Sequence, residues 1–245
     1  MYQVIHDVAR RDDEALGKKT PKQNRRRTFL LGLSFGGLVA LLYPIYYPGS
    51  TRTDTTHPDE IPIDGVIGVG PIIHFNPKDV QVSPIIRLIM VVIKAMYGLR
   101  LELYVPHKKA VDKDPKVYKQ LIDQDMRSHR GAFRVGHLYC VRNGIADVQE
   151  MADKFTVPVY IQHGLQDRVV SALSSLQWLQ KTMSDDIEMT VYPVCQHVIY
   201  RKAKSEEEDL AGRVSVLEDN VAWMNARCPG TCLLYTSPSP RDVEE

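Results

Sequence analysis

The chain has 245 residues, 44% of them apolar and 25% charged, the profile of a globular protein of one large domain or two small ones. Thirty-one Lys and Arg against 30 Asp and Glu leave a formal net charge of +1, which gives no reason to expect a nucleic-acid partner. The four cysteines, Cys140, Cys195, Cys228 and Cys232, fall in no metal-ligand or disulfide-framework spacing, a pattern that fits a reducing compartment.

Residues 3–17 read as an amphipathic helix, with Val4, Val8 and Leu16 apolar among charges,. The stretch is too charged to read as a secretory signal. KKTPKQNRRR at 18–27 is a basic, polar loop, expected to be a solvated connection. TFLLGL at 28–33 is a continuous apolar run of strand length, as buried parallel strands are,. GGLVALLYPIYY starts a buried helix, which Pro44 is expected to end or bend,. After the polar loop PGSTRTDTTHPDEIP, DGVIGVGPII at 64–73 reads as a second buried strand.

Residues 74–150 differ in texture and read as an insert. Within them, SPIIRLIMVVIKAMYGLRL opens with Ser83 as N-cap and Pro84 at the first helical position,. This helix is too short and too charged to span a bilayer. Arg87 and Lys94 share one stripe of it, so it fits either a core helix with two snorkelling cations or a cap helix that touches lipid. VPVYIQHG at 157–164 is a third buried strand, SALSSLQWLQKTM at 171–183 a helix, and IEMTVYPV at 187–194 a fourth strand. EEDLAGRVSVLEDNVAWMNAR at 207–227 closes with an amphipathic helix. The alternation predicts an α/β fold, a parallel sheet covered on both faces. CLLYTSPSPRD at 232–242 resembles the in-frame translation of a sequencing-library adapter, so residues 229–245 are set apart as a non-native tail.

Gly32-Leu33-Ser34-Phe35-Gly36 is a G-x-S-x-G pattern. By chance alone about 0.1 such matches are expected in a chain of this length, but this one lies between a buried strand and a helix, where a nucleophile elbow belongs. There the serine takes a strained backbone conformation, and side chains two residues to either side are expected to collide with the neighbouring strand and helix. The N–H of Phe35, at the helix start, is then one oxyanion donor. A serine hydroxyl needs a base to take its proton, and in this arrangement acid and base follow later strands in the order Ser, Asp, His. YIQHGLQD offers Asp167 past the end of the third strand, and TVYPVCQH offers His197 past the end of the fourth. His163 reads as packing or a loop hydrogen bond, His6, His57, His107 and His129 as solvated, and His74 and His137 as candidate pocket residues of the insert. Asp153 precedes its strand, at the wrong edge. No Cys/His cluster indicates a metal, and no cofactor is expected.

LLGLSFGG, VPVYIQHGLQDRVV and YPVCQHVIY, with AWM in the last helix, resemble the monoacylglycerol lipase branch of the α/β-hydrolases over about residues 1–228. The resemblance implies an α/β-hydrolase fold with a helical cap, Ser34 as nucleophile, His197 as general base and then acid, and Asp167 orienting the imidazole. It implies partial core at 1–73, cap at 74–150 and the rest of the core, with the acid and base, at 151–228. The cap helix would guide an acyl chain and make transient contact with a membrane surface, placing the protein in the cytoplasm or peripherally on membrane. The family usually has His and Met beside the nucleophile, where this chain has Leu33 and Phe35. Relatives also begin with several strands and an H-G-x-G loop that supplies the other oxyanion N–H; here only one helix and a loop precede Ser34, so the first strands are expected to be missing. The function expected is hydrolysis of long-chain acyl esters, foremost monoacylglycerols, to fatty acid and glycerol. Lysophospholipase or general carboxylesterase activity, or a catalytically incompetent fragment, are the alternatives. An epoxide hydrolase or dehalogenase is disfavoured, because those resemblances require an acid where Ser34 stands.

Overall fold

The computed structural model describes residues 1–74, 91–92, 95, 104–105, 126, 133–201 and 205–228. In chain order its elements are α1 (Tyr2–Leu16), β1 (Phe29–Leu33), α2 (Phe35–Tyr46), β2 (Gly65–Val69), the two-residue strands β3 (Tyr104–Val105) and β4 (Phe133–Arg134), α3 (Val135–Glu150), β5 (Val159–Gly164), α4 (Ala172–Leu179), β6 (Ile187–Tyr192), α5 (Glu206–Asp209) and α6 (Ser215–Ala226). A π-helical stretch, Leu210–Val214, joins α5 to α6. The cap helix expected from Ser83 and Pro84, with Arg87 and Lys94, and the tail at 229–245 lie outside the described residues.

Four strands form one sheet in the order β1-β2-β5-β6, every neighbouring pair parallel. All residues of β2 and β5 are buried, which is why their sequences read as apolar runs without alternation. The pleat still sorts the side chains. Leu30, Val66, Val159 and Ile161 join one core with residues of α1, α2, α3 and α4. Phe29, Leu33, Ile67, Val69 and Tyr160 join a second on the other face with Val216 and Trp223 of the last helix. Helix α3 closes the expected insert, yet it buries Ile145 and Val148 in the first core, and Trp178 of α4 donates its indole N–H to the Val148 carbonyl at 2.7 Å.

Four local expectations change at least in part. Helix α1 buries Ile5 and Ala9, whereas Val4, Val8 and Leu16 are exposed, because the helix meets the core through its narrower apolar stripe. Leu31, on the face of β1 away from α1, is exposed as well. Of the two effects expected of Pro44, ending α2 does not occur: it sits inside the helix, which continues two residues to Tyr46. The basic loop is largely exposed, as expected, but it is pinned at Lys22. The buried Lys22 ammonium donates to the carbonyls of Gly49, Asp54 and His57 and meets the Asp54 carboxylate at 3.3 Å. Arg27 and Arg52 converge on the buried Asp64, which also accepts the Thr28 N–H. These pairs fasten the chain entering β1 to the chain entering β2, so the two strands run in fixed register with Leu33 beside Val69.

Candidate active site

Parallel strands deliver their C-terminal ends to one edge of a sheet, and that edge is where open α/β sheets bind ligands. Ser34 follows β1, Asp167 follows β5 and His197 follows β6. The elbow at Ser34 has φ 55 and ψ −116, and Ser34 is the one residue other than glycine with positive φ among the described residues. Such a conformation costs about 1–3 kcal/mol and persists only where its surroundings hold it. Here they do. The Ser34 N–H donates to the Val69 carbonyl at 2.9 Å, and the Ser34 carbonyl accepts from Leu38 and Ile72, each at 3.2 Å.

The glycines around the elbow differ in what they do. A Cβ on Gly32 would lie 2.2 Å from the Gly36 carbonyl oxygen and 2.6 Å from the Gly37 nitrogen, so strand and helix touch backbone to backbone. A Cβ on Gly37 would meet Pro71 at 2.8 Å, but one on Gly36 would meet nothing within 4 Å. The steric expectation therefore holds at Gly32 and fails at Gly36; the close contact belongs to Gly37, which points from the helix into the turn after β2.

His197 Nε2 lies 2.8 Å from Ser34 Oγ, and His197 Nδ1 lies 2.8 Å from Asp167 Oδ2. The histidine is 5% exposed and the Asp167 side chain 1%, so the relay is shielded from water except near the serine. The other carboxylate oxygen of Asp167 accepts the N–H groups of Val169 at 2.8 Å and Val170 at 3.1 Å. Burial alone would push the Asp167 carboxyl up, but the hydrogen bond from His197 and those two backbone donors outweigh it and hold the carboxyl below its ordinary value,. Asp167 thus favours its ionised form, in contact with the His197 ring.

The loops carrying acid and base are laced together. Leu165 N–H donates to Tyr192 O at 2.9 Å and Gln166 N–H to Cys195 O at 3.0 Å. They can approach because residue 164 is glycine: a Cβ there would sit 2.4 Å from the Gln196 carbonyl oxygen. Beneath them the buried Gln162 donates to Tyr192 Oη at 2.9 Å and to the Val216 carbonyl at 3.1 Å, tying β5 to β6 and the last helix. Nothing local in the sequence marks Gly164 for this role, whereas a glutamine amid the apolar residues of VYIQHG marks Gln162.

The remaining candidates separate. Phe35 is the first residue of α2, so its N–H has no partner within the helix and lies at the positive end of the helix dipole,. The Phe35 ring lies 5.6 Å from that of His137, whereas His74 is exposed. His6 is half-buried rather than solvated and lies 4.0 Å from the Tyr2 ring. His107 and His129 lie outside the described residues. Burial pushes the Cys195 thiol up to about 11, which makes it inert packing. Among the described residues no group of three or more His, Cys, Asp or Glu side chains could hold a metal ion.

The family model for serine aminopeptidase S33 matches residues 3–203. The chain belongs to that family. It is 27% identical over 203 residues to caffeoylshikimate esterase from Arabidopsis thaliana, covering 81% of this chain and 55% of that protein. It is 25% identical over 199 residues to monoacylglycerol lipase from Mycolicibacterium smegmatis, covering 80% and 61%. The chain thus spans little more than half the length of these curated relatives. Among solved structures, monoacylglycerol lipase from Paleococcus ferrophilus aligns with a TM-score of 0.64 at 17% identity, covering 91% of this chain and 74% of the other. Monoglyceride lipase from Saccharomyces cerevisiae aligns with a TM-score of 0.65 at 19% identity, covering 93% and 69%. The fold of this S33 family member is that of the α/β-hydrolases.

Proposed function

We propose that the chain carries the catalytic machinery of a serine ester hydrolase acting on monoacylglycerols. The observation that carries this reading is the Ser34–His197–Asp167 relay, two contacts of 2.8 Å in line at the C-terminal edge of the sheet. In the first step His197 Nε2 takes the Ser34 proton while Oγ attacks the ester carbonyl carbon, and Asp167 stabilises the imidazolium. The negative charge on the carbonyl oxygen faces the Phe35 N–H. His197 then protonates the departing glycerol oxygen, leaving the acyl group on Ser34, and a water activated by the same imidazole releases the fatty acid.

The lipid-ester reading draws support from relatives named monoacylglycerol or monoglyceride lipase and from a groove of about 700 Å³ between α1, α2 and α3 whose lining includes Phe35, the residue after the serine, but none of the three relay residues. Leu38, Leu42, Tyr43 and Tyr46 of α2 line it further along, a surface suited to an acyl chain. No helix among the described residues is long and apolar enough to cross a membrane, and we place the enzyme's membrane contact in the cap, as a peripheral one. The match to caffeoylshikimate esterase keeps a general carboxylesterase as the second reading.

The test is release of oleate from monooleoylglycerol by the purified chain, beside hydrolysis of p-nitrophenyl butyrate, with His197→Ala as control. The expected result is turnover of both esters, falling by about 10³-fold or more in the variant. Turnover of the short ester alone would replace the lipase reading with the carboxylesterase one. A folded chain that turns over neither would be a catalytically silent α/β-hydrolase.

A further inference from the structure

His163 is the last residue before Gly164 in β5, and its side chain is 0% exposed. Its Nδ1 lies 3.3 Å from the Gly164 carbonyl oxygen and 3.9 Å from Asp167 Oδ2, the oxygen that His197 also uses. Its Nε2 is buried and has no hydrogen-bond partner among the described residues. The proton can therefore be assigned. Both oxygens facing Nδ1 are acceptors only, so the proton sits on Nδ1, and Nε2 carries a bare lone pair. A second proton would become a buried donor without an acceptor, which is costly. Burial acts in the same direction, Asp167 opposes it and His197 adds to it; these are the two titratable groups that bear on the ring, and the balance lowers the His163 pKa below its ordinary value,.

We propose that His163 is a positioning residue for Asp167: its Nδ1–H, hydrogen-bonded to the Gly164 carbonyl, stands 3.9 Å from the carboxylate oxygen shared with His197 and helps hold Asp167 in the orientation that keeps Oδ2 on the catalytic imidazole. The inference rests on the relay reading given above. The other oxygen is already fixed by Val169 and Val170, and a neutral donor steadies Oδ2 without bringing in a second cation that would compete with the imidazolium of His197. At 3.9 Å the contact is too long for a hydrogen bond, and it acts as an oriented dipole in a water-free site. Contacts of this kind tighten when substrate is bound.

The experiment is nuclear magnetic resonance of the full chain labelled with ¹⁵N-histidine. His163 is expected as the neutral Nδ1–H tautomer at neutral pH and above. The far-downfield proton of the His197–Asp167 hydrogen bond is expected in wild type, lost or broadened in His163→Leu, and kept in His163→Asn, whose amide N–H takes the place of Nδ1–H. In hydrolysis, His163→Leu is expected to lower kcat about tenfold with KM unchanged. An Nε2–H tautomer in wild type overturns the proposal without any variant, as does a folded His163→Leu chain that keeps the downfield proton. The resonance readouts need no turnover. A failure of the ester-hydrolase reading would instead appear as hydrolysis that is absent or indifferent to Ser34→Ala, so the two failures are distinguishable.

Discussion

Replacing Gly32 by alanine puts a Cβ 2.2 Å from the Gly36 carbonyl oxygen and 2.3 Å from its carbon, where ordinary contact begins at 3.4 Å. Both obstacles are backbone, so no rotamer change relieves them, and β1 and α2 must separate by about 1 Å. Overpacking of this kind costs about 1–3 kcal/mol, which in a domain of this size lowers Tm by roughly 3–10 °C. The greater damage is catalytic. Ser34 sits on the turn between the separating elements, and a displacement of about 1 Å costs on the order of 10²-fold in rate. Gly36→Ala is the control. Its Cβ meets nothing within 4 Å and the position is helical, so the change is expected to gain about 0.5–1 kcal/mol from helix propensity and to leave activity within about twofold. Thermal unfolding and p-nitrophenyl butyrate hydrolysis of the two variants decide it. If the variants are equally disabled, or Gly32→Ala is as active as wild type, the close-packing account of the elbow is wrong.

Two further outcomes follow from the same contacts. Ser34→Gly removes the side chain from a strained position at φ 55, so it is expected to raise stability by about 1–3 kcal/mol while abolishing turnover; an unchanged or lower Tm contradicts the strain. At Asp64, burial raises the carboxyl's pKa, but Arg52, the Thr28 N–H and Arg27 lower it further, and the net value lies below the ordinary 3.8. That contribution to stability is present above the unfolded-state pKa and lost as pH falls through the folded one, so it disappears below about pH 4. Asp64→Asn leaves the largely buried Arg52 unpaired and is expected to cost about 3–5 kcal/mol at neutral pH. Its denaturant midpoint should also fall less between pH 5 and about pH 3 than that of wild type; an equal fall would mean the pair contributes nothing.

The fold and relay were legible because both rest on short-range signals. β2 and β5 are buried on both faces and β1 on one, so their apolar runs stand out from the polar loops, and Ser34, Asp167 and His197 follow β1, β5 and β6 in the order Ser, Asp, His that the elbow pattern calls for,. The rest was not legible because it depends on what meets what across the sheet. Nothing local distinguishes Gly36 from Gly37: the difference lies in Pro71, which reaches α2 only once β2 has paired with β1. Lys22 read as a solvated cation because its partners, the carbonyls of Gly49, Asp54 and His57, lie some thirty residues on and leave no trace in residue type. Val4 and Val8 read as the inner face of α1, but Ile5 and Ala9 take that place, a choice fixed by how the helix seats on the core. His163 reads as packing or a loop hydrogen bond, and it is buried with Nδ1 on the Gly164 carbonyl; that Nδ1 also lies 3.9 Å from Asp167 Oδ2 while Nε2 has no partner depends on how β5 meets the following loop, which residue type does not record.

The central claim, that Ser34 is a nucleophile activated by His197, is tested most directly by covalent labelling of the purified chain with a fluorophosphonate, the adduct located by peptide mass spectrometry. A single adduct on Ser34, absent in Ser34→Ala and slowed by about 10³-fold or more in His197→Ala, is the predicted result. A folded chain that takes no label, or one labelled equally well without His197, would contradict it.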